Sequence, residues 1–148
     1  MIKLIGSPRF YVLVGEEQNW KISFATNTWG FTEKSKGLWN TIKVGELLAF
    51  YITSPIKRII GFGQITKKFI GEELVWPMEK FAKRALWKYR INFKSIHVID
   101  DWNEGILNTR KIILRSSRTV VSKDLYYDFV KSADKNWKTN IHKEIKKT

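Results

Sequence analysis

Two kinds of apolar pattern run along this chain, and each predicts a different element. Phe10-Tyr11-Val12-Leu13-Val14 is continuously apolar, rich in aromatic and β-branched residues, and predicts a buried strand. Leu47 to Thr53 is apolar at nearly every position, which predicts a strand covered on both faces. Ser54-Pro55 ends it, and Arg58 to Thr66 follows after a link short enough for an antiparallel hairpin. Gly61 and Gly63 fall on one face of that strand, where glycine marks a bend, a bulge or close backbone approach. From Lys88 to Val98 the pattern alternates instead. Tyr89, Ile91 and Phe93 lie on one face, Arg90, Asn92 and Lys94 on the other.

Helical spacing appears in three places. Trp20 to Ala25 predicts a short helix capped by Asn19. Glu79 to Leu86 places Phe81, Ala82, Ala85 and Leu86 at helical intervals. Ser122-Lys123-Asp124 opens a helix to Ala133, with Asp124 favourable at the positive end and Leu125, Tyr126, Phe129 and Val130 as its stripe. Between these, Lys34 to Asn40 reads as a polar mobile loop with a turn at Gly37, and Lys43-Val44-Gly45-Glu46 as a tight turn. Lys67 to Glu73 reads as a charged connection, and Leu74 to Pro77 as a brief extension of the sheet. Asp100 to Asn103 is a loop, Asn108 to Leu114 fits helix or strand, and the tail from Lys135 fits a frayed helix or disorder. Strands with helices inserted early, midway and late predict an α+β fold, a small closed or nearly closed mixed barrel with peripheral helices.

Length sharpens this little: 148 residues fit one domain, 1–148, with a basic tail from about 135. The absence of cysteine excludes disulfides, thiolate nucleophiles and Cys-type zinc sites. Gly6, Pro8 and Arg9 interrupt any apolar run at the start, and no run approaches a membrane span. The expectation is a soluble, cytoplasmic protein with no membrane partner. Charge changes the picture more. A formal net charge of +13 and a pI near 10.0 point to a polyanionic partner held by phosphate neutralisation.

Catalytic chemistry is sparse. His97 ends a strand and His142 sits in the basic tail. Asp100, Asp101 and Glu104 fit a solvated loop better than a metal site. Without a nucleophile–base pair or a metal set, the expectation is a protein that is not an enzyme and carries no cofactor.

What remains is aromatic and basic. Trp29-Gly30 offers a flat wall with space beside it. The seven Trp are more than a core of this size requires, and facing rings can hold one extruded base. Cations gather between Lys67 and Lys94, and again between Asn108 and Lys123, where no acid accompanies them.

The order of these motifs resembles the EVE domain of the PUA-like superfamily, related to the YTH domain. Tyr11 to Val14 is similar to its opening strand, Glu17 to Trp20 to its Asn-aromatic turn, and Asn27 to Phe31 to its Trp-Gly segment. Ile42 to Glu46 is similar to its Ile-Lys-Pro-Gly-Asp, with Val44 for the usual Pro and Glu46 for the usual Asp. Ile59 to Gly63, Trp87 to Ile91 (Lys88 replacing a Pro) and Ser122 to Phe129 complete the match. The resemblance implies a barrel with a pocket for a modified base in DNA or RNA. It implies Trp29 as the cage tryptophan, Asn19 as the polar residue of the pocket beside Trp20, and Gly30 as the gap that admits the base. Tyr51, Trp76 and Trp87 are further wall candidates. Lys88 and Arg90 are phosphate candidates, joined on composition by Arg110, Arg115 and Arg118. The alternatives are an RNA-binding PUA-type accessory domain without modification preference, a protein-interaction module, or a nuclease.

Overall fold

The computed structural model describes residues 9–107 and 118–146. Its strands are β1 (Phe10–Gly15), β2 (Thr28–Phe31), β3 (Leu47–Ile52), β4 (Arg58–Ile70), β5 (Tyr89–Val98), β6 (Ile106–Leu107) and β7 (Arg118–Val121). Its helices are α1 (Glu17–Thr26), α2 (Lys36–Thr41), α3 (Pro77–Ala82), α4 (Lys123–Trp137) and α5 (Ile141–Lys146). One sheet runs in the order β2-β5-β4-β3-β1-β7, with β6 added to β4. β1 pairs with β3 in parallel, and the other pairings are antiparallel. The sheet curls into a half-barrel with peripheral helices, of the α+β class that the pattern predicts.

The apolar runs are continuous because each face of the sheet has its own cover. Phe10, Val12 and Val14 of β1, with Leu47, Ala49 and Tyr51 of β3, pack with Tyr126, Phe129 and Val130 of α4 and Ile141 and Ile145 of α5. Tyr11, Leu13, Leu48, Phe50 and Ile52 point the other way. There they meet Trp20 of α1, Trp29 and Phe31 of β2, and Ile91 and Phe93 of β5. Period-two alternation thus feeds two cores from one strand. At Gly63 the close approach is literal: a Cβ there would lie 2.6 Å from the Phe50 ring.

Several local expectations are corrected. α1 starts at Glu17, an acid in the first turn, so Asn19 lies inside the helix and does not cap it. Lys34 to Asn40 is a 3-10 turn (Glu33–Ser35) followed by α2, with Gly37 within the helix. Tertiary anchoring overrides its poor helical propensity: Trp39 Nε1 donates to the Arg90 carbonyl at 2.9 Å, and its ring meets Tyr89 at 5.4 Å. β4 continues through Lys67 and Lys68 to Ile70, because Tyr89 to Asn92 supply a ladder partner. Leu74 to Val75 form no strand, and Pro77 begins α3 instead of ending a strand. α4 runs on to Trp137, and α5 follows in the tail. The Asp134 carboxylate caps α5, accepting from the Ile141 amide at 2.7 Å and the His142 amide at 3.2 Å.

Candidate functional site

Glu79 organises the segment between β4 and β5. It is the third residue of α3 and fully buried. Oε1 accepts from the Val75 and Trp76 amides at 3.0 and 3.4 Å; Oε2 accepts from the Leu86 and Trp87 amides at 2.9 and 3.0 Å. One carboxylate therefore ties both ends of the segment together. Arg90, from β5, faces it with Nη2 at 3.3 Å from each oxygen. Arg90 also donates through Nε to the Trp87 carbonyl at 2.9 Å and through Nη2 to the Glu73 carbonyl at 2.6 Å. Its guanidinium carbon lies 5.2 Å from the Trp76 ring centroid. Both peptide groups of Trp87 are thus held by charged, buried partners, which fixes where its indole points.

That indole closes one side of a hollow of about 430 Å³. Glu16, Gln18 and Asn19 from the start of α1 face Pro77, Met78 and Phe81 of α3 across it. Trp76 supports the Trp87 wall edge-on, with centroids 5.8 Å apart at 79°, and its own Nε1 donates to Ser23 Oγ at 3.0 Å. The hollow offers an aromatic face, two side-chain amides and one carboxylate. Those groups can stack a planar heterocycle and pair with donors and acceptors along its edge. A second hollow of about 510 Å³ lies between Glu17, Lys21 and Phe24 of α1 and Asp100, Trp102 and Asn103, and contains none of the sequence-predicted residues.

The predicted residues divide sharply. Asn19 and Trp87 line the hollow, and Trp76 lies directly behind it. Trp20 and Trp29 do not line it. They stack on each other at 4.3 Å and 23°, 0 % and 5 % exposed, so the Trp29 ring is packed among its neighbours. Its Nε1 is buried without a hydrogen-bond partner among the described residues. Gly30 admits tryptophans in place of a ligand: a Cβ there would lie 2.5 Å from Trp87 Cβ and 2.9 Å from the Trp76 ring. Tyr51 belongs to the cluster under α4, and burial raises its phenol above the ordinary range. Arg90 is corrected from phosphate contact to internal clamp, since 2 % exposure leaves nothing for a polyanion. Lys88 is half-exposed and lies 4.0 Å from the Glu33 carboxylate. Arg110 and Arg115 lie outside the described residues; so does the side chain of Arg118, whose backbone pairs with Leu13 in β7.

Glu79, Phe81, Met78, Gln18 and Glu16 were not among the sequence candidates. A signal existed for Glu79: Trp76-Pro77-x-Glu79 places Pro at the first helical position and an acid at the third, a helix-start pattern. Among the described residues no group of three or more His, Cys, Asp or Glu is placed to hold a metal, and no helix is long and apolar enough to cross a membrane.

The architecture is that of YTH and ASCH domains, the PUA-like class. The YTH domain of Zygosaccharomyces rouxii MRB1, solved in complex with N6-methyladenosine RNA, matches with a TM-score of 0.59 at 12% identity, over 89% of this chain and 88% of that one. A mutant ZmASCH protein from Zymomonas mobilis matches with a TM-score of 0.62 at 11% identity, over 86% and 99%. A hypothetical protein from Leishmania major matches with a TM-score of 0.62 at 13% identity, over 88% and 98%. No protein-family model and no curated protein matches the sequence.

Proposed function

We propose that this chain is an RNA-binding module of the EVE type, cytoplasmic and without turnover, which takes one extruded base into the hollow between α1 and α3. The observation that carries this reading is the convergence of Trp87, Asn19 and Gln18 on one open volume of about 430 Å³. It occurs on a fold shared with a YTH domain solved with N6-methyladenosine RNA. Trp87 stacks on the base, and the amides and Glu16 meet its edge. The +13 charge supplies attraction to the backbone. The test is a binding panel of single- and double-stranded RNA and DNA, each plain or carrying one methylated base. Tightest binding to single-stranded RNA with a methylated base is expected. Equal, weak binding to every member, abolished by salt, would reduce the protein to a nonspecific polycation.

The burial of Trp29 favours a second reading, an RNA-binding module without modification preference. With that ring packed against Trp20, Trp87 is the hollow's one buttressed ring, Phe81 lying exposed at its rim, and a methyl group gains less from one buttressed ring than from two. Equal affinity for methylated and plain single-stranded RNA identifies this case.

A further inference from the structure

α3 carries a feature that burial of a base in the hollow does not use. Phe81 is 86 % exposed and Met78 is 55 % exposed, although both reach the hollow's rim. The helix spans only Pro77 to Ala82, and Lys83 ends it in the left-handed conformation, φ 58°. Six residues and a sharp stop leave Phe81 with no helix or sheet to pack against. Exposed Lys80, Lys83 and Arg84 flank it in the sequence, and none is within ion-pair distance of a carboxylate among the described residues.

We propose that Phe81, standing at the mouth of the hollow among Lys80, Lys83 and Arg84, is a stacking shelf for the base next to the extruded one, so that RNA crosses α3 as a single strand. The proposal rests on the reading of the hollow given above. An aromatic ring among free cations is the arrangement that single-strand binding uses: the ring accepts any base face and the cations follow the phosphates. A protein partner fits less well. Cores of protein interfaces are depleted of Lys, and here the exposed Met78 and Phe81 share their short segment with three exposed cations. A duplex fits less well too, because its stacked bases leave no free face for the ring.

The test compares two ligands on the full chain: N6-methyladenosine 5′-monophosphate, which fills the hollow alone, and a short single-stranded RNA carrying the same base. Phe81→Ala should weaken the RNA by about 5- to 150-fold, the equivalent of 1–3 kcal/mol for one stacked base, and weaken the mononucleotide, which meets the ring only at the hollow's rim, by much less. Thermal melting should show a wild-type fold, since the side chain is in solvent. Replacing Lys80, Lys83 and Arg84 together by Gln should reduce the salt slope of RNA binding by about 2, at roughly 0.7 per phosphate contact. Equal weakening of both ligands by Phe81→Ala would make Phe81 a wall of the hollow and overturn the shelf. So would an unchanged RNA affinity, or an unchanged salt slope. Wild-type protein that binds neither ligand would sink the hollow's assignment and the shelf with it, an outcome separate from the others.

Discussion

Arg90 Nη2 sits 3.3 Å from both carboxylate oxygens of Glu79, and the two side chains are 2 % and 0 % exposed. Neither ion has water to fall back on. Each is satisfied by backbone: four amides donate to Glu79, while the Trp87 and Glu73 carbonyls accept from Arg90. The pair is therefore the internal frame of the hollow's wall.

Removing one member leaves the other charged and buried. Glu79→Gln should cost about 3–5 kcal/mol in urea denaturation, because a neutral amide cannot balance the guanidinium and presents donors where amides already point. A loss below about 1 kcal/mol would mean that the two carbonyls alone suffice for Arg90. Arg90→Lys should also destabilise, since one ammonium cannot reproduce the fork that reaches Trp87, Glu73 and Glu79 together.

Trp87 is half-buried and forms the aromatic side of the hollow. Trp87→Ala should weaken single-stranded RNA by about 5- to 150-fold. Trp87→Phe, which keeps a ring over the same space, should recover most of that loss. Filter binding or fluorescence anisotropy reads both. Full affinity in the Ala variant would move the base elsewhere, with the larger hollow at Phe24 and Trp102 the next place to look.

The course of the sheet was legible, because continuous apolar runs announce β1 and β3 and alternation announces β5: all three lie within a residue of their expected bounds. The long-range decisions were not. α2 exists because Trp39 is anchored on β5, and the end of β4 exists because β5 offers it partners; neither cause lies within the segment itself. At the candidate hollow, Asn19 and Trp87 lie in the lining and Trp76 behind it; the resemblance to the EVE pattern singles out all three, and seven Trp in a domain this size already draw notice to the tryptophans. Arg90 was misplaced for a simple reason. Alternation assigned it to the polar face of β5, but the segment around Glu79 folds over that face and encloses it. Phe81 belongs to a helical pattern from Glu79 to Leu86, but α3 spans Pro77–Ala82 and leaves that residue 86 % exposed.

Trp20 and Trp29 are stacked neighbours with opposite hydrogen-bonding states. Trp20 Nε1 donates to the Tyr51 carbonyl at 2.8 Å, whereas Trp29 Nε1 has no acceptor among the described residues. A buried donor left unmet costs about 1–3 kcal/mol, so replacing Trp29 by Phe removes a penalty while opening a small void. Trp29→Phe should therefore be nearly neutral, and Trp20→Phe, which strands a carbonyl and opens the same void, should cost at least about 1 kcal/mol more. Denaturant midpoints measured side by side decide it. The reverse order would mean that the Trp29 indole is satisfied in solution.

The corner between α4 and α5 should be sensitive to acid through Asp134. Burial raises this carboxyl, but hydrogen bonds from Thr139, His142 and the Ile141 and His142 amides together outweigh it and hold the group below its ordinary 3.8. The folded state thus binds the proton less readily than the unfolded chain does. The stabilisation is fully present above the unfolded value and is lost as pH falls through the folded one. Asp134 holds α5 by its amides, and Nδ1 of His142 lies 2.7 Å from Oδ2, so protonation removes an acceptor that several donors share. Other carboxylates contribute to acid unfolding as well, which makes the difference between two proteins the informative quantity. Asp134→Asn should be less stable than the parent at neutral pH, and the gap should narrow as the pH drops below the ordinary 3.8. Trp137, whose Nε1 donates to the Glu104 carbonyl at 2.8 Å, is a fluorescent reporter at the end of α4. A gap between parent and variant that stays constant down to acid pH would show that Asp134 acts through shape and not through its charge.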